Sequence, residues 1–136
     1  MSTLVLKNAK VVTVTGKTLE KGVVVIENGK IKSVGTSPRV PKNARVINLS
    51  GKWLTPGFID AHSHLSAMNE PRTMPSIPDV NEKTSPVTAQ LRAIDSLNPF
   101  DTGIAAARCA GFTTCCTLPG SANVCGGLGI CFKTKV

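Results

Sequence analysis

The sequence predicts an α/β protein with a β-rich start, and three observations carry that expectation. Residues 1–57 alternate valine-rich runs with turn residues. Residues 58–118 follow the order strand, helix, strand, the pattern of a βαβ unit. A last β-rich run, "GICFKTKV", covers 129–136. The domain division expected from this pattern is 1–57 and 58–136. With 136 residues, 41% apolar and 18% charged, the chain has the composition of a globular protein with a modest core.

In the first segment, "LVLKNAKVVTV" (4–14) is apolar and β-branched, and its "KNAK" suits a bend or bulge. "GVVVIENGKIKSVG" (22–35) places two β-rich runs around Asn28-Gly29, a dipeptide that suits a type I′ hairpin turn. "RVINLSGKWLTPG" (45–57) adds a short strand, a Ser50-Gly51 turn and a Pro-Gly stop. These pieces predict a small antiparallel β unit, one face of which needs a second layer.

In the second segment, "FIDAH" (58–62) is a short apolar strand. Residues 66–86 hold four prolines and little periodicity, which predicts a long loop. Ser85 can cap a helix with Pro86 at its first position. Val87, Leu91, Ile94 and Leu97 then fall on one helical face, ended by Asn98-Pro99. A second helix is expected over about 101–110, stopped at Gly111. The strand "FTTCCTL" (112–118) follows, parallel to 58–62, and closes at Pro119-Gly120.

Charge and targeting narrow the function classes. No window reaches the roughly 18 apolar residues of a membrane span, and the N-terminus lacks a secretory apolar stretch. The expectation is a cytoplasmic protein with no membrane partner. The net charge is +8. All of that excess lies in residues 1–57, where ten Lys and Arg face only Glu20 and Glu27. The lysines are scattered, Trp53 is the segment's one aromatic, and the chain has no tyrosine. Solvated strand edges explain this pattern better than a nucleic-acid surface does. Cys109, Cys115, Cys116, Cys125 and Cys131 are an odd set without C-x-x-C, which argues against a disulfide framework and a zinc ribbon. They are expected to be small buried hydrophobes, with Cys115 and Cys116 facing opposite ways.

The chain's only two histidines, His62 and His64, stand in "PGFIDAHSHL" (56–65). Residues two apart on a strand share a face, so the two imidazoles project together, with Cβ atoms ~6.5–7 Å apart. They sit where the strand ends and the loop begins, the active-site end of parallel barrels. Two imidazoles can share a metal, but catalytic zinc normally takes three protein ligands and a water. A bare H-x-H is more often one partly buried and one solvated histidine.

The surrounding residues add a resemblance. "GKWLTPGFIDAHSHL" resembles the first barrel-strand signature of the amidohydrolase superfamily, a Pro-Gly, two apolar residues, an Asp and H-x-H. "ARCAGFTTCCTLPGSANVCGG" is similar to that superfamily's helix-to-strand step and the loop after it, as found in the imidazolonepropionase-related branch. The resemblance spans nearly the whole chain. It implies a β-sandwich-like N-terminal unit followed by the first strands and helices of a (β/α)₈ TIM-type barrel. It implies one or two divalent metals, zinc above all, with His62 and His64 as the first two ligands. The metal lowers the pKa of a bound water, which attacks the carbon of an amide, cyclic amide or amidine in a small-molecule substrate. Asp60 matches the Asp before H-x-H and is read as a structural group. Ser121–Asn123 matches a substrate-side loop without an assigned role, and Gly126-Gly127 allows close backbone approach. Lys133 is read as an ordinary exposed lysine.

The family's further metal histidines and last-strand aspartate have no counterpart here, since there is no third histidine. The expectation is a truncated, N-terminal portion of an amidohydrolase with little activity alone. The alternative is a non-catalytic, partner-binding module derived from one. Catalytic and substrate-binding residues stay unassigned, two imidazoles do not choose among Zn, Fe, Ni and Cu, and a homo-oligomer stays open. Uncovered sheet edges and apolar faces predict that the chain alone aggregates or depends on a partner. Sedimentation and a thermal scan check this; a monomer with one sharp transition refutes it.

Overall fold

A computed structural model describes residues 2–70 and 80–135. The chain divides into two compact units, Met1–Pro56 and Gly57–Val136. Residues 71–79 of the expected loop, and Val136 of the expected last strand, lie outside the described residues.

The first unit is a single five-stranded sheet. Its strands are β1 (Thr3–Val11), β2 (Leu19–Glu27), β3 (Lys30–Gly35), β4 (Arg45–Asn48) and β5 (Trp53–Leu54). The order is β3-β2-β1-β4, with β5 also paired to β1. The β2–β3 hairpin turns at Asn28 (φ 51°) and Gly29 (φ 77°), the two left-handed positions that a type I′ turn demands.

The unit is mixed, which corrects the expectation of an antiparallel, sandwich-like piece. β1 runs antiparallel to β2 but parallel to both β4 and β5. The reason lies in "KNAK". Asn8 sits at φ 66° and bulges β1 between Lys7 and Ala9. On the partner side the chain breaks at the same level with a turn whose Gly51 takes φ 76°. Leu49 N donates to Lys7 O (2.8 Å) below the bulge, and Lys10 N donates to Lys52 O (2.9 Å) above it. Asn8 Nδ2 bonds Asn48 Oδ1 (2.9 Å) across the break. One long strand thus pairs with two short strands in series.

Alternation sorts the side chains. Ala9, Val11 and Val24 form a buried cluster with Leu6, Leu19, Ile26, Leu49 and Leu54 against it. Val5 and Val25, directly paired, are buried on the other side of the same strands. Gly22 opposes Ala9 beside the second irregularity of β1, and a Cβ there would lie 2.4 Å from Val11 Cγ2.

The second unit holds β6 (Phe58–Ser63), α1 (Thr102–Cys109), β7 (Phe112–Thr117) and β8 (Ile130–Lys133). β6 and β7 are parallel, with α1 in the connection, as the βαβ pattern predicts. β8 pairs antiparallel with β7, so among the described residues of this unit β6–β7 is the one parallel strand pair and it is not extended. Asp101 caps α1, and Gly111 leaves it at φ 96°.

The helix expected over 85–97 is absent; a single 3₁₀ turn, Ala93–Asp95, is all that forms there. Backbone pairing displaced it. Val87 bridges Cys125 and Arg92 bridges Leu128 in parallel fashion. Thr88 N donates to Cys125 O and Ala93 N to Leu128 O, each at 2.8 Å. Ser85 does not cap a helix: its hydroxyl accepts from Val87 N (3.2 Å) in a local turn. The 3-and-4 spacing of Val87, Leu91 and Ile94 buries no helical face, and all three are exposed.

The cysteines also depart from expectation. Only Cys115 is buried; Cys116 is half-buried, and Cys109, Cys125 and Cys131 are exposed. Cys115 lines one cavity with Ala106, Ala107 and Ala110 of the α1 region, whereas Cys131 stands on the edge strand β8.

Gly22→Ala forces a methyl group into Val11 and is expected to cost about 1–3 kcal/mol, the usual cost of overpacking. Urea denaturation against the parent chain measures it; an unchanged midpoint contradicts the packing described.

Candidate metal centre

His62 is in the last turn of the pleat of β6, and His64 lies one residue beyond the strand's end. Their ring centroids are 5.9 Å apart with planes at 82°. With Zn–N distances of about 2.0–2.1 Å, two imidazole centres on one ion lie about 5.2 Å apart at a tetrahedral angle and about 6.4 Å apart at the linear limit. The pair falls between the two.

The two rings are held differently. His64 is half-buried, and its Nδ1 lies 2.8 Å from Leu118 O. A carbonyl only accepts, so Nδ1 carries the hydrogen and Nε2 keeps a free lone pair. That tautomer, fixed by a backbone carbonyl, is the one metal-bound histidines commonly adopt. His62 is exposed, and its backbone N–H donates to Asp60 Oδ1 (3.1 Å). Asp60 therefore acts here on the main chain of the H-x-H segment.

The end of β6 is fastened to β7 on both sides of His64. Ser63 Oγ donates to Cys116 O (3.1 Å), and Leu118 N donates to Ser63 O (2.9 Å). Thr117 Oγ1, on a residue with no exposed surface, donates to Leu65 O. Beyond Leu65 the chain turns back, with Ala67 N and Met68 N both donating to His64 O.

Asp101 organises this turn. Its side chain is buried, and its carboxylate accepts from Ser66 N (3.0 Å), Glu70 N (2.9 Å) and Gly103 N (2.9 Å). One carboxylate thus caps α1 and clamps both ends of the 66–70 turn. Ser66, at φ 73° and fully buried, also donates from Oγ to Asn98 O, while Asn98 N returns a bond to Ser66 O. Sequence reasoning missed Asp101, Asn98 and Thr117 as supports of the H-x-H loop. The one legible signal was Asp101 at the start of a predicted helix; its two loop donors are over thirty residues away in sequence.

The remaining sequence candidates fall elsewhere in the unit. Asn123 Nδ2 donates to Ser85 O (2.7 Å), which pins the 121–123 loop to the extended 85–88 segment. Gly127 packs so closely on Leu91 that a Cβ would lie 2.3 Å from its carbonyl oxygen, whereas a Cβ on Gly126 would meet only Pro119 Cβ, at 4.0 Å. Lys133 is exposed and its Nζ donates to Thr114 Oγ1 (3.0 Å). Burial, aided by the charge of Asp60, pushes the Cys115 thiol up. Among the described residues no group of three or more His, Cys, Asp and Glu converges as a metal site. The histidine pair fits as two ligands of a shared ion, and the described residues supply no third.

Over 118 residues, 85% of its length, the chain is 35% identical to an amidohydrolase of Hapsidospora irregularis, tasK. It spans 12% of that protein. In structure it is similar to an amidohydrolase from Thermotoga maritima, at TM-score 0.86 and 38% identity, over 98% of this chain and 34% of that one. The chain is thus similar to amidohydrolases over most of its own length. A prolidase solved with N-methylphosphonate-L-proline is similar at TM-score 0.53 and 30% identity, over 84% of this chain and 25% of that one. No family model matches the sequence. What is matched is an N-terminal portion: a mostly β region with one α-helix among the described residues, much shorter than the proteins it resembles. Among the described residues no helix is long and apolar enough to cross a membrane.

Asp101→Ala removes the acceptor of three backbone N–H groups and is expected to destabilise the chain by about 2–3 kcal/mol. Hydrogen exchange should localise the loss to the Ser66 and Glu70 amides; uniform protection there would refute the clamp.

Proposed function

We propose that this chain is part of a metal-dependent amidohydrolase that cleaves a non-peptide C–N bond, in an amide, cyclic amide or amidine. The observation that carries the reading is the pair of imidazoles 5.9 Å apart at the end of β6, in a chain similar to amidohydrolases over nearly its whole length. The imidazolonepropionase-related branch is our preferred assignment, on the Ala107–Gly127 sequence pattern. We read β6 and β7 as the opening strands of a TIM-type barrel and residues 1–57 as part of the companion β domain.

His62 and His64 would hold the metal, with the rest of its ligands outside the described residues. When bound, a divalent ion such as zinc supplies Lewis acidity and lowers the pKa of a coordinated water. The chain's own contribution is orientation. Leu118 O holds the His64 ring in the tautomer with Nε2 unprotonated. Asp60 ties the backbone of His62, and Asp101 fixes the turn into which His64 leads. The His64 imidazole therefore meets an incoming ion with little rotamer freedom left to lose, whereas His62 is fixed through its backbone. The substrate is read as a small molecule, since the basic residues of the first unit are scattered and Trp53 is its one aromatic.

Cobalt(II) titration followed by visible absorption tests the ligand role directly. One ion per chain is expected to give an imidazole-ligand spectrum, lost in the His62→Ala/His64→Ala variant while its circular dichroism is unchanged. Equal cobalt uptake by that variant would sink the assignment.

A further inference from the structure

A second pair of coordinating side chains lies on the neighbouring strands. Cys116 of β7 and Cys131 of β8 are direct partners in the antiparallel ladder. Their type of pairing follows from the bonds nearby. Thr134 N donates to Thr113 O (3.2 Å), which makes 113 and 134 a hydrogen-bonded pair. Such pairs alternate along the ladder, so 115 with 132 is hydrogen-bonded and 116 with 131 is not. Non-hydrogen-bonded partners have Cα atoms about 4.5 Å apart and the closer side chains. A disulfide needs Cα atoms about 4.4–6.8 Å apart, so the backbone already stands within range. On the same face, the next non-hydrogen-bonded pair shows that side chains do meet across the strands, with Lys133 Nζ on Thr114 Oγ1.

We propose that Cys116 and Cys131 form a cross-strand dithiol, a site that closes to a disulfide by exchange with a low-molecular-weight disulfide. Exposure sets the order of events. Cys131 is exposed on an edge strand and meets the reagent first. Its thiolate attacks one sulfur of the small disulfide, forms a mixed disulfide and expels one thiolate. Cys116 is half-buried, and the hydrogen bond to its partner, together with burial, pushes its thiol up, so it keeps its proton until then. The Cys116 sulfur next attacks the Cys131 sulfur, and the second small thiol leaves with the proton. Two S–H bonds are lost and one S–S bond forms. The two electrons pass to the reagent, which ends as two thiols. The other cysteines lack such a partner in the ladders: Cys115 pairs with Phe132, and Cys109 lies in α1. Closure would staple β8 to β7 at both ends of the 118–129 segment, whose Leu118 carbonyl holds His64.

The test exposes the reduced full chain to oxidised glutathione, followed by alkylation and peptide mapping. The expected result is a loss of two of the five thiols, the mass of two hydrogens, and a Cys116 peptide joined to the Cys131 peptide. Cys131→Ser should abolish the link, and a Cys109→Ser/Cys125→Ser variant should keep it. A stable glutathione adduct on Cys131 without closure would overturn the proposal. So would a dominant link through Cys109 or Cys125. The mapping on the unmodified chain decides the matter even where a variant fails to fold.

Discussion

The second unit depends on one buried carboxylate. Asp101 is taken almost wholly out of water, and that burial is tolerable because three backbone N–H groups point at its two oxygens. A buried charge with directed donors cannot shift without orphaning them. It therefore fixes the start of α1 and the 66–70 turn to one point. α1 in turn sets β7 beside β6, and Leu118, the residue after β7, presents the carbonyl that holds His64. The histidine pair is thus supported from behind by hydrogen bonds that carry none of its own chemistry.

A different device shapes the first unit. The left-handed residue Asn8 breaks β1 at the level where the partner chain turns through Ser50-Gly51. The bulge lets a nine-residue strand serve two short parallel partners in succession. It also shifts the alternation so that Leu6, Ala9 and Val11 contribute to one apolar cluster. Gly22 meets Val11 so closely because the second irregularity of β1 falls there, and no side chain fits between the strands.

Sequence reading succeeded where the controlling physics is local. The type I′ turn at Asn28-Gly29 needs only residues that accept positive φ. The Gly111 exit of α1 and the β-rich run of 112–118 are equally short-range. It failed over 85–97, where a helical period was present and lost. The 3-and-4 spacing is a weak preference, worth tenths of a kcal/mol per residue, and paired backbone groups across 87–92 and 125–128 outweighed it. The cysteines misled for a related reason: residue type predicts burial only on average, and position in the sheet decided each case.

The sequence alone determined that His62 and His64 leave one strand end together, since a period of two is built into the extended backbone. It likewise determined the hairpin and the strand–helix–strand order. Only tertiary structure decided what holds those rings. The Leu118 carbonyl, the Asp101 clamp and the facing of Cys116 on Cys131 join residues far apart in the chain, and no local preference encodes such meetings. They arise when parallel β6 and β7, and then antiparallel β8, settle into register. Register is set by the whole ladder at once, which is why single residues did not reveal it.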